Sequence, residues 1–257
     1  MRKSPSVPSF ILPTHVVVCC FVVWGLICGC SSQDSTTARS PAAEGSSAGD
    51  PQTQQAMPAQ EPVELLPLIE LSRDAIEGNW QRSGVAVISP PVQAARLQIP
   101  HEFPDDYVLK LRVRRVAGND SFNIGLPLGD GRHVVCVIDG YSGRSSSLSL
   151  VDGRAGDNNP TTIPGRVIHD SRSHDIVCRV EGNSIRIACD EREIIAWDGE
   201  RTRLSLESRF WGEVPSRRLM IGAWLTEFEV SELQLLPAGA RVAPSMASVP
   251  DDASRVG

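Results

Sequence analysis

Amides, a carboxylate and two aromatic rings are the residues of this sequence best suited to hold a polyhydroxyl ligand. Gly118-Asn119-Asp120-Ser121-Phe122-Asn123 leads from a turn into a strand, Asp139-Gly140-Tyr141 closes the next strand, and Trp224 ends a third. Sugars take hydrogen bonds from planar amides and carboxylates and lay their C–H surfaces on aromatic rings. Asn119, Asn123, Asp139, Tyr141 and Trp224 are therefore the candidate ligand-binding set. Taken singly, each has a plainer reading: Asn119-Asp120 and Asp139-Gly140 as turn chemistry, Trp224 as core. Other chemistry is thin. The five histidines fall in no catalytic spacing. The oxygen-rich run Asp152-Gly153-Arg154-Ala155-Gly156-Asp157-Asn158-Asn159 lacks EF-hand spacing and reads as turns. Cys136, Cys178 and Cys189 have no CxxC spacing and sit in β-branched runs, so they read as small core residues, and no metal or cofactor is expected.

The elements that must position those residues are strands. In Tyr107–Val116, Leu109, Leu111 and Val113 alternate with Lys110, Arg112 and Arg114, the period of a half-buried strand. Runs from His174 to Val180 and from Ser184 to Cys189 flank Glu181-Gly182-Asn183, which predicts a β-hairpin with Ile176, Cys178, Val180, Ile185, Ile187 and Cys189 on its buried face. With Gly182-Asn183 as the loop, Cys178 falls opposite Ile187 and not opposite Cys189, which disfavours a disulfide. Further strands are expected at 65–71, 85–89, 94–99, 122–128, 133–139, 147–151, 193–197, 219–225 and 228–236, with a helical turn at 72–77. Many short strands punctuated by Gly, Pro, Asn and Asp predict an all-β sandwich or barrel. Strand parity puts Asn123 opposite Phe122 and Ile124, Asp139 opposite Val134, Cys136 and Ile138, and Trp224 opposite Ile221 and Ala223.

The first 29 residues read as an export signal: Arg2 and Lys3, then an uncharged apolar run from Val16 to Gly29 that is too short to span a bilayer. Leu26-Ile27-Cys28-Gly29-Cys30 is similar to the bacterial lipoprotein signal, which implies a lipid on Cys30 and, with Ser31 following, sorting to the outer membrane of a diderm host. Membrane anchorage through Cys30 and a domain outside the cytoplasm are the expected localisation. Residues 30–62 and 238–257 are Ser-, Ala-, Gln- and Pro-rich and read as a disordered linker and tail around one domain at 63–237. The whole chain carries −6, and residues 1–29 hold two cations and no acid, so the remainder carries −8. With no basic run, nucleic acid is not an expected partner.

Three stretches together resemble concanavalin A-like (laminin-G-like) jelly-roll domains: Asp74-Ala75-Ile76-Glu77-Gly78-Asn79-Trp80 with Gly84–Ile88, the hairpin ending Asp190–Trp197, and Leu219–Trp224 followed by Phe228–Leu235. They look closest to modules of exported planctomycete-type lipoproteins. The resemblance implies a two-sheet antiparallel jelly-roll sandwich over roughly residues 64–237, whose concave face or rim loops bind glycans in many relatives and hydrolyse them in some. Glucanases of that superfamily carry an E-x-D-x-(x)-E strand; the nearest match is Glu227-Phe228-Glu229-Val230-Ser231-Glu232, where the central Asp is Glu and alternation predicts a solvated charged face. The expectation is a membrane-anchored binding module for a glycan or other cell-envelope ligand. A glycoside hydrolase or lyase, or a structural domain whose partner is an envelope protein, are the alternatives.

Overall fold

The structure, a computed structural model, describes residues 61–169, 171–215 and 217–242. Cys30, the export signal, most of the linker and most of the tail lie outside the described residues.

Two antiparallel sheets stack face to face. Sheet I runs, in spatial order, Arg192–Asp198, Ser184–Cys189, Ser173–Glu181, Tyr107–Ala117, Glu227–Pro237, Ala86–Ile88 and Gln81–Ser83, with Val63–Glu64 also paired to Glu227–Pro237. Sheet II runs Ile163–Pro164, Ser145–Leu148, His133–Asp139, Phe122–Pro127, Arg218–Ala223, Ala95–Glu102 and Ala75–Glu77. The chain shuttles between them, from Ala86–Ile88 in sheet I to Ala95–Glu102 in sheet II, back to Tyr107–Ala117, then to Phe122–Pro127. That crossing makes the domain a two-sheet antiparallel jelly-roll sandwich.

Alternation does the work of burial. Leu109, Leu111 and Val113 of sheet I meet Phe122, Ile124, Leu126, Val134, Cys136 and Ile138 of sheet II in one core. Each fully buried side chain of this size contributes roughly 1.5–3 kcal/mol. The 173–189 hairpin has the expected register: Gly182-Asn183 is the loop, Gly182 takes a left-handed φ of 53°, and Cys178 lies opposite Ile187. Cys136, Cys178 and Cys189 are buried free thiols.

The segment expected as a strand at 65–71 differs. Leu66–Leu68 is a 3-10 turn and Leu71–Asp74 a short helix. Pro67 has no N–H for a ladder, so the chain coils while Leu65, Leu66 and Ile69 still cover the core edge.

Candidate functional site

The register of sheet II lays two rows of side chains across its outer face. One row is Arg96, Gly222, Asn123, Val137 and Ser147; the next is Gln98, Met220, Gly125, Val135 and Ser149. Their strand neighbours Leu97, Ile124, Cys136, Leu148 and Ile221 point the other way, into the core. The two glycines keep the middle of this floor low. A Cβ on Gly222 would lie 3.3 Å from the Trp211 ring, and one on Gly125 would lie 2.9 Å from the Met220 methyl.

A strap formed by residues 204–215 lies over these rows. Its helical turn, Ser208–Trp211, stops at Gly212, which has a φ of 63°. Trp211 packs with Val135 and Met220 in a small apolar cluster that Leu206, Phe210, Val214 and Val137 complete. A guanidinium latches it: Arg96 Nη1 donates to the Trp211 carbonyl.

On this floor, five polar atoms lack a partner among the described residues. Arg96 Nε, Gln98 Nε2, Asn123 Oδ1, Ser147 Oγ and Ser149 Oγ are all buried without a hydrogen bond. Asn123 Nδ2 donates to Ser121 Oγ at 3.0 Å, and turning the amide over would only exchange which of its atoms is orphaned. A buried polar atom left unpaired costs about 1–3 kcal/mol. Such atoms are rare in folded proteins, so their concentration on one face marks it as different from the rest of the sandwich.

The sequence-predicted residues divide around this face. Asn123 is in its floor. Trp224 is half-buried at one end, its ring edge-on to Phe210 of the strap at 5.1 Å between centroids. Tyr141 is exposed, with a left-handed φ of 56°. Burial and then the nearby Asp157 carboxylate push its hydroxyl above the usual tyrosine range. Asn119 is an exposed turn residue whose carbonyl accepts from Arg166 at 3.1 Å.

Asp139 requires a correction. Parity predicts it on the outer face, but its own φ of 58° swings the carboxylate to the interior. There it accepts from Arg115 Nη2 at 2.7 Å and from the Val167 and Ile168 N–H groups at 2.6 and 2.9 Å. Both members of the ion pair are essentially fully buried, and Arg115 also lies over the Phe228 ring at 4.7 Å. Asp139 is a structural clamp, with no free face for a ligand.

The acidic strand is elsewhere again. Glu229 pairs with Arg114 and Glu232 with Lys110, each at 2.7 Å, on the outer face of sheet I. In the 152–159 run, Asn159 Nδ2 donates to the Leu148 carbonyl at 2.8 Å and Asn159 Oδ1 accepts from Thr161, while Asp152 pairs with Arg203, so these oxygens are engaged in turns. Burial pushes the Cys189 thiol up to about 12 and those of Cys136 and Cys178 well above the ordinary range, so none is a ready nucleophile.

Arg96, Gln98, Ser147, Ser149 and the Trp211 strap were not in the sequence-derived set. The signal for them was the pair Gly125 and Gly222 inside apolar strands, since an interior strand glycine marks a close approach.

No family model matches the chain, and no curated protein matches it. Solved structures resemble it at low identity. The carbohydrate-binding module CBM66 from Bacillus subtilis matches at 10% identity and a TM-score of 0.44, covering 62% of this chain and 91% of that one. The apo Crh5 transglycosylase matches at 11% identity and a TM-score of 0.47, covering 72% and 85%. A prokaryotic β-1,3-1,4-glucanase (lichenase) derived from a mouse hindgut metagenome matches at 10% identity and a TM-score of 0.42, covering 62% and 83%.

Proposed function

We propose that this chain is an exported glycan-binding module, tethered to a membrane by lipid on Cys30, and that its ligand lies across the outer face of sheet II. The carrying observation is the set of five unpartnered polar atoms on that face. A guanidinium, two amides and two hydroxyls are the donors and acceptors that sugar hydroxyls and ring oxygens pair with. Trp224 and Phe210 border the set and offer the apolar surface a pyranose ring stacks on. The strap is the ligand's competitor: it lifts, the polar rows are exposed, and the sugar makes the hydrogen bonds that the protein itself leaves unmade.

The geometry favours binding over two-carboxylate hydrolysis. Retaining and inverting glycosidases place a carboxyl pair about 5–9.5 Å apart across the bond they cut. The two rows contain no carboxylate, and Glu229 and Glu232 are ion-paired on the other sheet. Outside the cytoplasm, a binding domain on a 30–62 tether reaches envelope polysaccharide without leaving its membrane.

A glycan array probed with the soluble domain, residues 62–238, tests the ligand class. Binding of one glycan series, lost in Asn123→Ala and Trp224→Ala, is the expected result; silence across the array, or binding indifferent to both substitutions, overturns the proposal. Cell fractionation tests the tether: Cys30→Ser should leave the membrane fraction or remain unprocessed, and unchanged processing and membrane association would refute lipidation.

A further inference from the structure

A second cluster lies at the edge of sheet I, independent of the strap-covered face. Cys189 ends its strand, and Asp190 and Glu191 turn the chain toward Arg192 with left-handed φ values of 48° and 67°. The turn is tied to the neighbouring strand, because Asp190 Oδ1 accepts the Asp175 N–H at 3.0 Å and the Asp190 N–H donates to the Asp175 carbonyl at 2.9 Å. This brings the Asp190 carboxylate to His174. His174 Nδ1 lies 2.8 Å from Asp190 Oδ2 and 3.9 Å from Cys189 Sγ, and the three potential ligand atoms are all within 4.8 Å of one another. His174 and Cys189 are buried, while Asp190 is partly open to solvent.

The far ring nitrogen is also provided for. His174 Nε2 is 3.0 Å from the His169 amide nitrogen and 3.3 Å from the His169 carbonyl oxygen. The His169 N–H donates to Nε2, so in the metal-free protein Nδ1 carries the ring proton and donates it to Asp190 Oδ2. A cation at this place takes the position of that proton, between the ring, the carboxylate and the sulfur, and the ring proton moves to Nε2, where the His169 carbonyl oxygen at 3.3 Å accepts it. Thiolate, imidazole and carboxylate form a mixed S, N and O set with two negative charges. Such a set suits zinc, whereas calcium and magnesium take oxygen ligands alone. The cluster opens on a cavity of about 230 Å³ lined by Arg166, His169, Arg172 and Arg192.

We propose that His174 Nδ1, Cys189 Sγ and Asp190 Oδ2 form a three-ligand site for a zinc-type divalent cation, with the fourth position open to the arginine-lined cavity and suited to an anion. Three protein ligands and one exchangeable position is the arrangement of zinc sites that take up an external ligand. On binding, the cation displaces the thiol proton. It also displaces Arg172, which holds Asp190 Oδ2 at 3.0 Å, and the freed guanidinium faces the fourth ligand. Nothing in the sequence spacing hints at this site, because the hairpin register alone brings residues 174 and 189–190 together.

Cobalt titration of the full chain in detergent is the test. Co²⁺ should add one thiolate-to-metal charge-transfer band with visible bands of tetrahedral intensity, and Zn²⁺ should quench both. Cys189→Ser should abolish the charge-transfer band, and Cys136→Ser and Cys178→Ser should leave it intact. Asp190→Asn keeps a residue that tolerates the left-handed turn, so it should fold and bind Co²⁺ at least roughly tenfold more weakly, the lower bound for losing even an outer partner of a metal site. Absence of the band in the folded wild-type chain, its survival in Cys189→Ser, or unchanged affinity in Asp190→Asn overturns the site.

Discussion

The two sheets share one core and present opposite outer faces. On sheet I, each outward-facing charged side chain of the Tyr107–Ala117 strand meets an acid on an adjacent strand: Lys110 with Glu232 at 2.7 Å, Arg112 with Asp175 at 2.8 Å and Arg114 with Glu229 at 2.7 Å. On sheet II, the projecting Arg96, Gln98, Asn123, Ser147 and Ser149 each keep a buried atom without a partner among the described residues, on a face part of which a strap of apolar residues covers. Cross-strand ion pairs complete a surface within the fold. Unpaired buried donors and acceptors do the reverse: they lower stability until something outside the fold satisfies them. The difference leaves the outer face of sheet I complete within the fold and the outer face of sheet II incomplete.

The largest expected effect separates the clamp from the ligand face. Asp139→Ala takes the carboxylate away from buried Arg115 Nη2 and from the Val167 and Ile168 N–H groups, so denaturant unfolding should show a loss of about 3–5 kcal/mol. If Asp139→Ala instead folds as stably as wild type and loses only ligand, the clamp reading is wrong and the carboxylate belongs to the site. Next in size is Trp224→Ala, which should weaken glycan binding by about 1–2 kcal/mol, measured by calorimetry, with a smaller change in stability because the ring is only half-buried. Smaller still is the direct contrast between faces. Glu229→Gln on sheet I should cost at most about 1 kcal/mol of stability, as partly exposed ion pairs do, and leave binding untouched. Asn123→Ala should change stability by less than about 1 kcal/mol, because removing an unpaired atom offsets the lost packing and the bond to Ser121, yet it should lose binding. A large destabilisation by Asn123→Ala would mean that its amide is satisfied within the fold, and the contrast would fail.

Much of the sandwich was legible because alternation and turn chemistry are local. The 173–189 hairpin with its Gly182-Asn183 loop and the strand at His133–Asp139 follow from period-two patterning alone. The clamp was not legible, since one left-handed residue at a strand end reverses the direction that parity assigns to Asp139. Nor was the strap: Leu206, Phe210, Trp211 and Val214 stand among charged residues, Gly and Pro with no regular period, and only the folded chain shows that they share a surface. On the sheet II face, Asn123 and Trp224 are the two residues that residue type and parity single out from the sequence. Arg96, Gln98, Ser147 and Ser149 look in sequence like ordinary solvent-facing positions; segments distant in the chain, the strap beside Arg96 and Gln98 and the Gly156 loop beside Ser147, enclose their polar atoms.

The smallest predicted effect concerns acid. His133 projects from the same sheet II strand as Val135 and Val137, and its Nε2 is 3.0 Å from the Arg218 carbonyl at the base of the strand that carries Met220 and Gly222. Burial holds its pKa below the usual histidine value, with the Arg218 and Gly131 backbone contacts opposing that shift only in part. Above about pH 6.5, the ordinary histidine pKa, folded and unfolded chains are both neutral at this residue, and it contributes no pH dependence. Below that value the unfolded chain takes up a proton that the folded chain refuses, so stability falls as pH drops toward the lowered folded-state pKa. Carboxylate pairs also titrate in acid, but from lower pH. The decline that begins near neutrality should therefore be the part that His133→Gln removes, read as the difference between wild-type and variant unfolding midpoints across pH 7 to 5. Sheet I's outer face carries no histidine among Lys110, Arg112, Arg114 and their acidic partners. If His133→Gln leaves the profile unchanged between those limits, the acid sensitivity does not arise at sheet II, and the two faces are alike in this respect.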